Sequence, residues 1–203
     1  MSWILTSQGI EFDIERPRYG QVLAMDIAWS LAQLNRFTGH ALRPYSVAEH
    51  SLLVCEIAER EFGLDVHGLL AALMHDAHEA YCGDLHTQGK HVVGYGWAAF
   101  ERRLQTNVNG AFALHTAVGV HGANIKRADL LALATERRDL LPRTTTPWQS
   151  LTGIEPIGWV RLDSPERKAM NWEDWRDRWL DSYHELDFAR NELLFPPNGA
   201  AAP

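Results

Sequence analysis

At 203 residues the chain is long enough for one domain with its own core, and its net charge of -7 excludes broad binding to nucleic acid or an anionic membrane, since both need a basic face. Hydrophobic residues at 46% and charged residues at 22% suit a soluble globular protein, and no run approaches the roughly 18 apolar residues of a membrane span. The Met1-Ser2-Trp3 start has no signal-peptide pattern, and the two cysteines, Cys55 and Cys82, sit in apolar helical patterns, so a cytoplasmic protein with reduced thiols is expected.

The first predicted element is a hairpin within residues 1–20, with strands Trp3-Ile4-Leu5-Thr6 and Ile10-Glu11-Phe12-Asp13-Ile14 joined around Ser7-Gln8-Gly9. Asp26 reads as the N-cap of a first helix that carries Ile27, Ala28, Leu31 and Leu34 and stops near Asn35-Arg36-Phe37. Ser46-Val47-Ala48-Glu49 is a capping-box pattern opening a second helix, which Gly63 closes. His50 shares the inward face of that helix with Val47, Val54, Ile57 and Ala58.

A third helix is expected over residues 65–82, ending at Gly83-Asp84, followed by a loop over 85–95. A fourth covers about 97–112, and a fifth, about 124–141, carries Asp129 on a stripe with Ile125, Ala132 and Leu133. Residues 142–165 read as a long loop with a short strand at 159–162. Residues 166–193 read as a final helix whose Trp172, Trp175 and Trp179 pack on the body or make an oligomer contact. Residues 1–195 then form a single domain, with 196–203 a disordered tail.

Three of these helices direct polar groups inward: His50 from the second, His75 and Asp76 from the third, Asp129 from the fifth. Burying a charge without a partner costs several kcal/mol, so a cation is expected among them. Two imidazoles and two carboxylates suit a divalent transition metal such as Mn, Co, Zn, Fe or Ni. Glu79 lies four residues after His75, on the same side of the expected helix, where it serves to orient or deprotonate water, or with Asp84 to hold a second divalent ion. A metal lowers the pKa of bound water to about 7, and phosphate-ester hydrolysis follows from that chemistry. His78 is expected to lie outside this group, in surface or loop chemistry.

The order His50, His75-Asp76, Asp129 resembles that of the HD-domain metal-dependent phosphohydrolases. The string His75-Asp76-Ala77-His78-Glu79-Ala80-Tyr81-Cys82-Gly83-Asp84-Leu85, with Ser46-Val47-Ala48-Glu49-His50-Ser51 before it and Lys126-Arg127-Ala128-Asp129 after it, is more specific. It is similar to the branch containing the bacterial YfbR-like 5′-deoxynucleotidases and the phage dATP triphosphohydrolases, over roughly residues 20 to 140. The resemblance implies an all-α HD-domain helical bundle with a small N-terminal β-hairpin. It implies that Arg36 contacts phosphate, that Phe37, often tryptophan in the family, screens the sugar, and that Lys90 and Lys126 complete a basic pocket. Glu79 and Asp84 take catalytic places. Leu85-His86-Thr87 stands where the family has a proline or similar residue, which leaves base preference open.

The implied reaction is in-line attack of metal-activated water on phosphorus, with Arg36, Lys90 and Lys126 stabilising the equatorial oxygens. A deoxynucleoside monophosphate is the favoured small-molecule substrate. A dATP-preferring triphosphohydrolase releasing tripolyphosphate would use the same residues. A non-catalytic, metal-stabilised nucleotide-binding or regulatory module is the alternative of another class. The family habit implies a homo-oligomer, and neither nucleic acid nor membrane is an expected partner.

Overall fold

The computed structural model describes residues 2–194, so the expected tail at 196–203 lies outside the described residues. The hairpin pairs β1 (Trp3–Leu5) antiparallel to β2 (Glu11–Asp13), with Ile4 opposite Phe12. Phe12 is the inward residue of β2 and stacks on Tyr81 with ring centroids 4.0 Å apart. The remaining regular structure described is helical: α1 (Ala24–Gln33), α2 (Val47–Phe62), α3 (Val66–Leu73), α4 (Glu79–Cys82), α5 (Thr87–Val93), α6 (Tyr95–Ala111), α7 (His115–Leu140), α8 (Pro165–Ala169) and α9 (Trp172–Leu194). The chain is therefore all-α with a small β-hairpin. Among the described residues no helix is long and apolar enough to cross a membrane.

Helix α3 is apolar but for the partly exposed His67 in its first turn and sits between two packed clusters. Leu70 and Leu73 join Ile27 and Leu31 of α1 and Trp175 and Trp179 of α9. Ala71 and Ala72 join Val54 and Ile57 of α2 and Ile125, Ala128 and Ala132 of α7. A helix without a polar face has nowhere to go but the interior, and α3 thereby carries its C-terminal residues to the centre of the bundle. Trp175 and Trp179 are spent on this core, and Trp172 meets Trp29 of α1 edge-on at 5.0 Å, so the tryptophans of α9 pack within the chain.

Several boundaries differ from expectation for identifiable reasons. Asp26 is not the N-cap of α1, which starts at Ala24; its buried carboxylate instead accepts from Ser7 Oγ at 2.7 Å and Gln8 N at 2.8 Å, clamping the hairpin turn to the helix. The single helix expected over 65–82 breaks after Leu73 into a turn and the short α4. The segment expected as a loop over 85–95 contains α5, whose residues are all at least partly exposed. Helix α7 begins nine residues earlier than expected, at His115. Pro165 starts the short α8, and a break at Met170-Asn171 separates it from α9.

No strand forms at 159–162, because side chains rather than a ladder satisfy that backbone. Arg138 donates to the Ile157 and Val160 carbonyls at 2.6 and 2.7 Å, Leu162 N donates to Asp139 Oδ2 at 2.8 Å, and Arg43 donates to the Leu162 carbonyl at 2.7 Å. The start of α2 shows a related substitution of partners. Ser46 accepts from Glu49 N at 3.1 Å, as expected of the cap, yet the Glu49 side chain turns away to Arg43 and Arg167. Both cysteines are free and half-buried; burial, reinforced by nearby carboxylates, pushes their thiols up to about 12.

Glu49 is fully buried and bound to Arg43 at 2.7 Å and to Arg167 at 2.8 Å, joining α2 to α8. Removing one partner of such a group leaves uncompensated buried charge at about 3–5 kcal/mol. Glu49→Gln should therefore lower the free energy of unfolding by about 3 kcal/mol, seen as a lower urea midpoint. An unchanged midpoint would show that the two arginines are solvated well enough to do without it.

Candidate metal centre

His50 lies in the first turn of α2, one position after Glu49, and its ring is wholly buried. Its Nδ1 is 2.5 Å from Glu136 Oε1, an acid two turns beyond Asp129 on α7. The Nδ1 proton is donated to Glu136, which directs Nε2 the other way, toward Asp129 Oδ1 at 3.3 Å and Asp76 Oδ2 at 3.6 Å. His75 follows the same plan from the turn after α3. Its Nδ1 donates to the Ala72 carbonyl at 2.8 Å, and Nε2 lies 3.1 Å from Asp76 Oδ2. The two imidazoles face each other with ring centroids 5.2 Å apart.

Both Nε2 atoms are buried, and neither makes a hydrogen bond among the described residues. An imidazole whose Nδ1 proton is committed to a carboxylate or carbonyl presents its Nε2 lone pair as a ligand. One ligand atom from each of His50, His75 and Asp76 lies within 4.8 Å of the others, and Asp129 closes on His50 from α7. These buried His and Asp groups are suited to hold a metal ion, which is the test the expected ligand set had to meet.

The electrostatics agree with the donor set. Burial opposes ionisation of Asp76, but His75, His50 and Arg36 outweigh it and hold its carboxyl well below the usual range. Asp129 is likewise held well below, burial being outweighed by His50 and His75. Burial and Arg36 push the His50 imidazole down, yet Glu136 and Asp129 prevail and raise it to about 9. A divalent ion held here would need the His50 Nε2 lone pair, with the remaining imidazole proton on Nδ1 toward Glu136.

Glu136 was absent from the expected site. It is completely buried and accepts from His50, from Tyr45 Oη at 2.9 Å and from Arg36 Nη2 at 3.3 Å. Its position seven residues after Asp129 repeats the inward face of the helix, and that spacing was the available signal. His78 corrects an expectation: it is buried, not at the surface, with Nε2 3.6 Å from Glu101 Oε1, and groups with Glu79 and Glu101 within 4.8 Å. Glu101, on α6, is held down to about 2, first by His78 and then, against burial, by Lys90.

The remaining expected residues divide into two sets. Arg36 is in the centre, 3.7 Å from Asp76 Oδ2 and bonded to Glu136, while its Nε is buried without an acceptor. Phe37 lies beneath the Arg36 guanidinium, 5.5 Å from it, in a turn where Phe37 and Thr38 both take left-handed backbone conformations, an uncommon arrangement for residues with side chains. Lys126 binds Asp129 Oδ2 at 2.8 Å and is 68% exposed, at the rim. Lys90 is not at the His/Asp cluster but on Glu101 at 2.6 Å, beside Glu79. Burial, then the Asp76 and Asp84 carboxylates, push the Glu79 carboxyl well above its ordinary range; Asp84 is raised too, by burial first.

Comparison with known proteins finds two bacterial relatives. The uncharacterized protein YfdR of Escherichia coli K12 is 35% identical over 154 residues, which span 76% of this chain and 81% of YfdR. An uncharacterized protein of Rhodobacter capsulatus is 37% identical over 130 residues, spanning 63% of this chain and 65% of that protein. No family model matches the chain.

If Glu136 fixes the His50 ring, Glu136→Gln should weaken Mn²⁺ binding about 10–100-fold, the usual loss when a ligand's supporting carboxylate goes. Isothermal titration with Mn²⁺ measures it, with Asp76→Ala expected to abolish binding altogether. Unaltered affinity in Glu136→Gln would show that the ring is held by packing alone.

Proposed function

The chain belongs to the family of Escherichia coli YfdR, and from the centre described above we propose that it is a metal-dependent phosphohydrolase of the HD type acting on deoxynucleotides. The observation that carries this reading is the pair of buried, unbonded Nε2 atoms of His50 and His75 facing Asp76 and Asp129, with a proton-holding Glu79 next to them. His50, His75, Asp76 and Asp129 hold one divalent ion. When bound, the ion supplies Lewis acidity that lowers the pKa of water to about 7.

The protein's own groups divide the remaining work. Glu79 is buried with its Oε2 unbonded, and burial together with the Asp76 and Asp84 carboxylates raises its proton affinity, which suits it to exchange a proton with water. Arg36 already lies against Asp76 and Glu136, and its free Nε offers a donor to a phosphate oxygen. Lys126 at the rim neutralises a second oxygen by leaving Asp129, and Lys90 a third by leaving Glu101. Phe37 under Arg36 bounds the sugar side of the site. The monophosphate is the favoured substrate, and Asp84 takes the catalytic place beside Glu79.

The test is purified protein with Mn²⁺ or Co²⁺, assayed for phosphate and for tripolyphosphate over deoxynucleoside mono- and triphosphates. Phosphate release from monophosphates is expected. Release of tripolyphosphate instead would move the substrate to dNTPs, dATP first. Metal-loaded protein that binds nucleotides tightly but turns over neither class would sink the enzyme and leave a regulatory module. Glu79→Ala should retain metal by elemental analysis and lose at least about a hundredfold in kcat, the scale of a general acid–base; a wild-type rate would remove Glu79 from the mechanism.

A further inference from the structure

Away from the His/Asp cluster, the segment after β2 and helix α6 border a shallow, open groove of about 620 Å³ lined by Arg16, Arg18, Tyr19, Arg103 and Asn107. Its volume is in the range of small-molecule sites, roughly 300–1,000 Å³. We propose that this groove is a second ligand site, built for a nucleoside polyphosphate.

The first observation is charge. In a chain of net charge -7, Arg16, Arg18 and Arg103 form no ion pair among the described residues, although the charges of Arg16 and Arg18 reach the nearby Asp13 carboxylate. The groove's own acid, Glu15, accepts from Ser2 Oγ at 2.7 Å. Three guanidiniums lining one groove without an ion pair match the charge and fork geometry of a polyphosphate chain.

A second observation is that the groove wall is fixed rather than a loose loop. Asp13 Oδ1 accepts from the backbone N–H of Glu15 and Arg16, both at 3.0 Å. The Gln21 side chain accepts from Arg18 N at 3.1 Å and donates to the Glu11 carbonyl at 2.7 Å. Asn107 Nδ2 donates to the Pro17 carbonyl at 3.0 Å, and Arg103 Nη1 to the Glu15 carbonyl at 3.2 Å, stitching the segment to α6. Tyr19 lies directly over Gly110, where a Cβ would come within 2.4 Å of the phenol, so only glycine lets the ring approach α6 this closely.

The third observation distinguishes a nucleotide from a bare anion. Tyr19 stays 57% exposed, offering a flat face for stacking beside the arginines. No residue of the groove belongs to the metal centre, so the inference stands whether or not the phosphohydrolase reading does.

Metal-stripped full-length protein, titrated calorimetrically with ATP and with inorganic tripolyphosphate, tests it. Saturable binding of one equivalent is expected for each probe. Arg18→Glu with Arg103→Glu, whose side chains are exposed and should leave the circular dichroism unchanged, is expected to raise both Kd values at least about tenfold, the scale of a lost charged contact pair. Tyr19→Ala should raise Kd about fivefold or more for ATP alone, as lost base stacking predicts. Arg36→Ala should leave both within about twofold. Absence of saturable binding, indifference to the charge reversal, or loss through Arg36→Ala would overturn the site; a Tyr19→Ala effect equal for both probes would overturn the nucleotide assignment.

Discussion

The hydrogen bond between His50 and Glu136 organises the centre of this molecule. Both groups are wholly buried, and a carboxylate in that position is tolerable only if its oxygens are satisfied. His50 from α2, Tyr45 from the segment before it and Arg36 from the turn after α1 all supply donors to the one acid on α7. Burial raises the Glu136 carboxyl, but Arg36 and His50 outweigh it and keep the group ionised. Those four segments are therefore held in register by one buried carboxylate. The His50 Nε2 direction, and with it the position of any ion, follows from that register.

A second constraint is the break after α3. In a continuous helix His75 and Asp76 would point about 100° apart, and Glu79 would stand one turn further along the same face. The turn replaces this with i to i+3 bonds, Ala77 N to the Met74 carbonyl at 3.0 Å and Glu79 N to the Asp76 carbonyl at 2.9 Å. The Ala72 carbonyl at the end of α3 accepts the His75 Nδ1 proton at 2.8 Å alongside a long bond from the His75 backbone N–H at 3.4 Å. Glu79 becomes buried against α6, and His78, which a regular helix gave no role, is brought to Glu101. Glu79 and the His/Asp cluster thus sit on either side of a single turn.

Legibility from sequence followed the range of each interaction. The cap at Ser46, the left-handed Gly63 at the end of α2, the hairpin and the inward faces carrying His50 and Asp129 are patterns of neighbours two to seven residues apart, and they stand as read. Asp26 misled because a carboxylate near a helix start reads as a cap, while its partners are 18 and 19 residues away on the hairpin. The expected strand at 159–162 failed for the converse reason, since Arg43, Arg138 and Asp139 from distant segments take its backbone groups. Helix α5 buries nothing completely, so it leaves little periodic apolar signal to read.

By itself the sequence determined that helices would form and that His50 and Asp129 would lie on inward helix faces, because helical periodicity is local chemistry, whereas His75 and Asp76 reach the same centre from a turn. Only the tertiary structure decided that Glu136 stands behind His50, that Lys90 rests on Glu101 rather than at the His/Asp cluster, and that three arginines share a groove with Tyr19. His50 and Glu136 are 86 residues apart, and Arg36 and Glu136 are 100. A buried charge takes whichever donor packing delivers to it, and at such separations packing, not spacing, makes the choice.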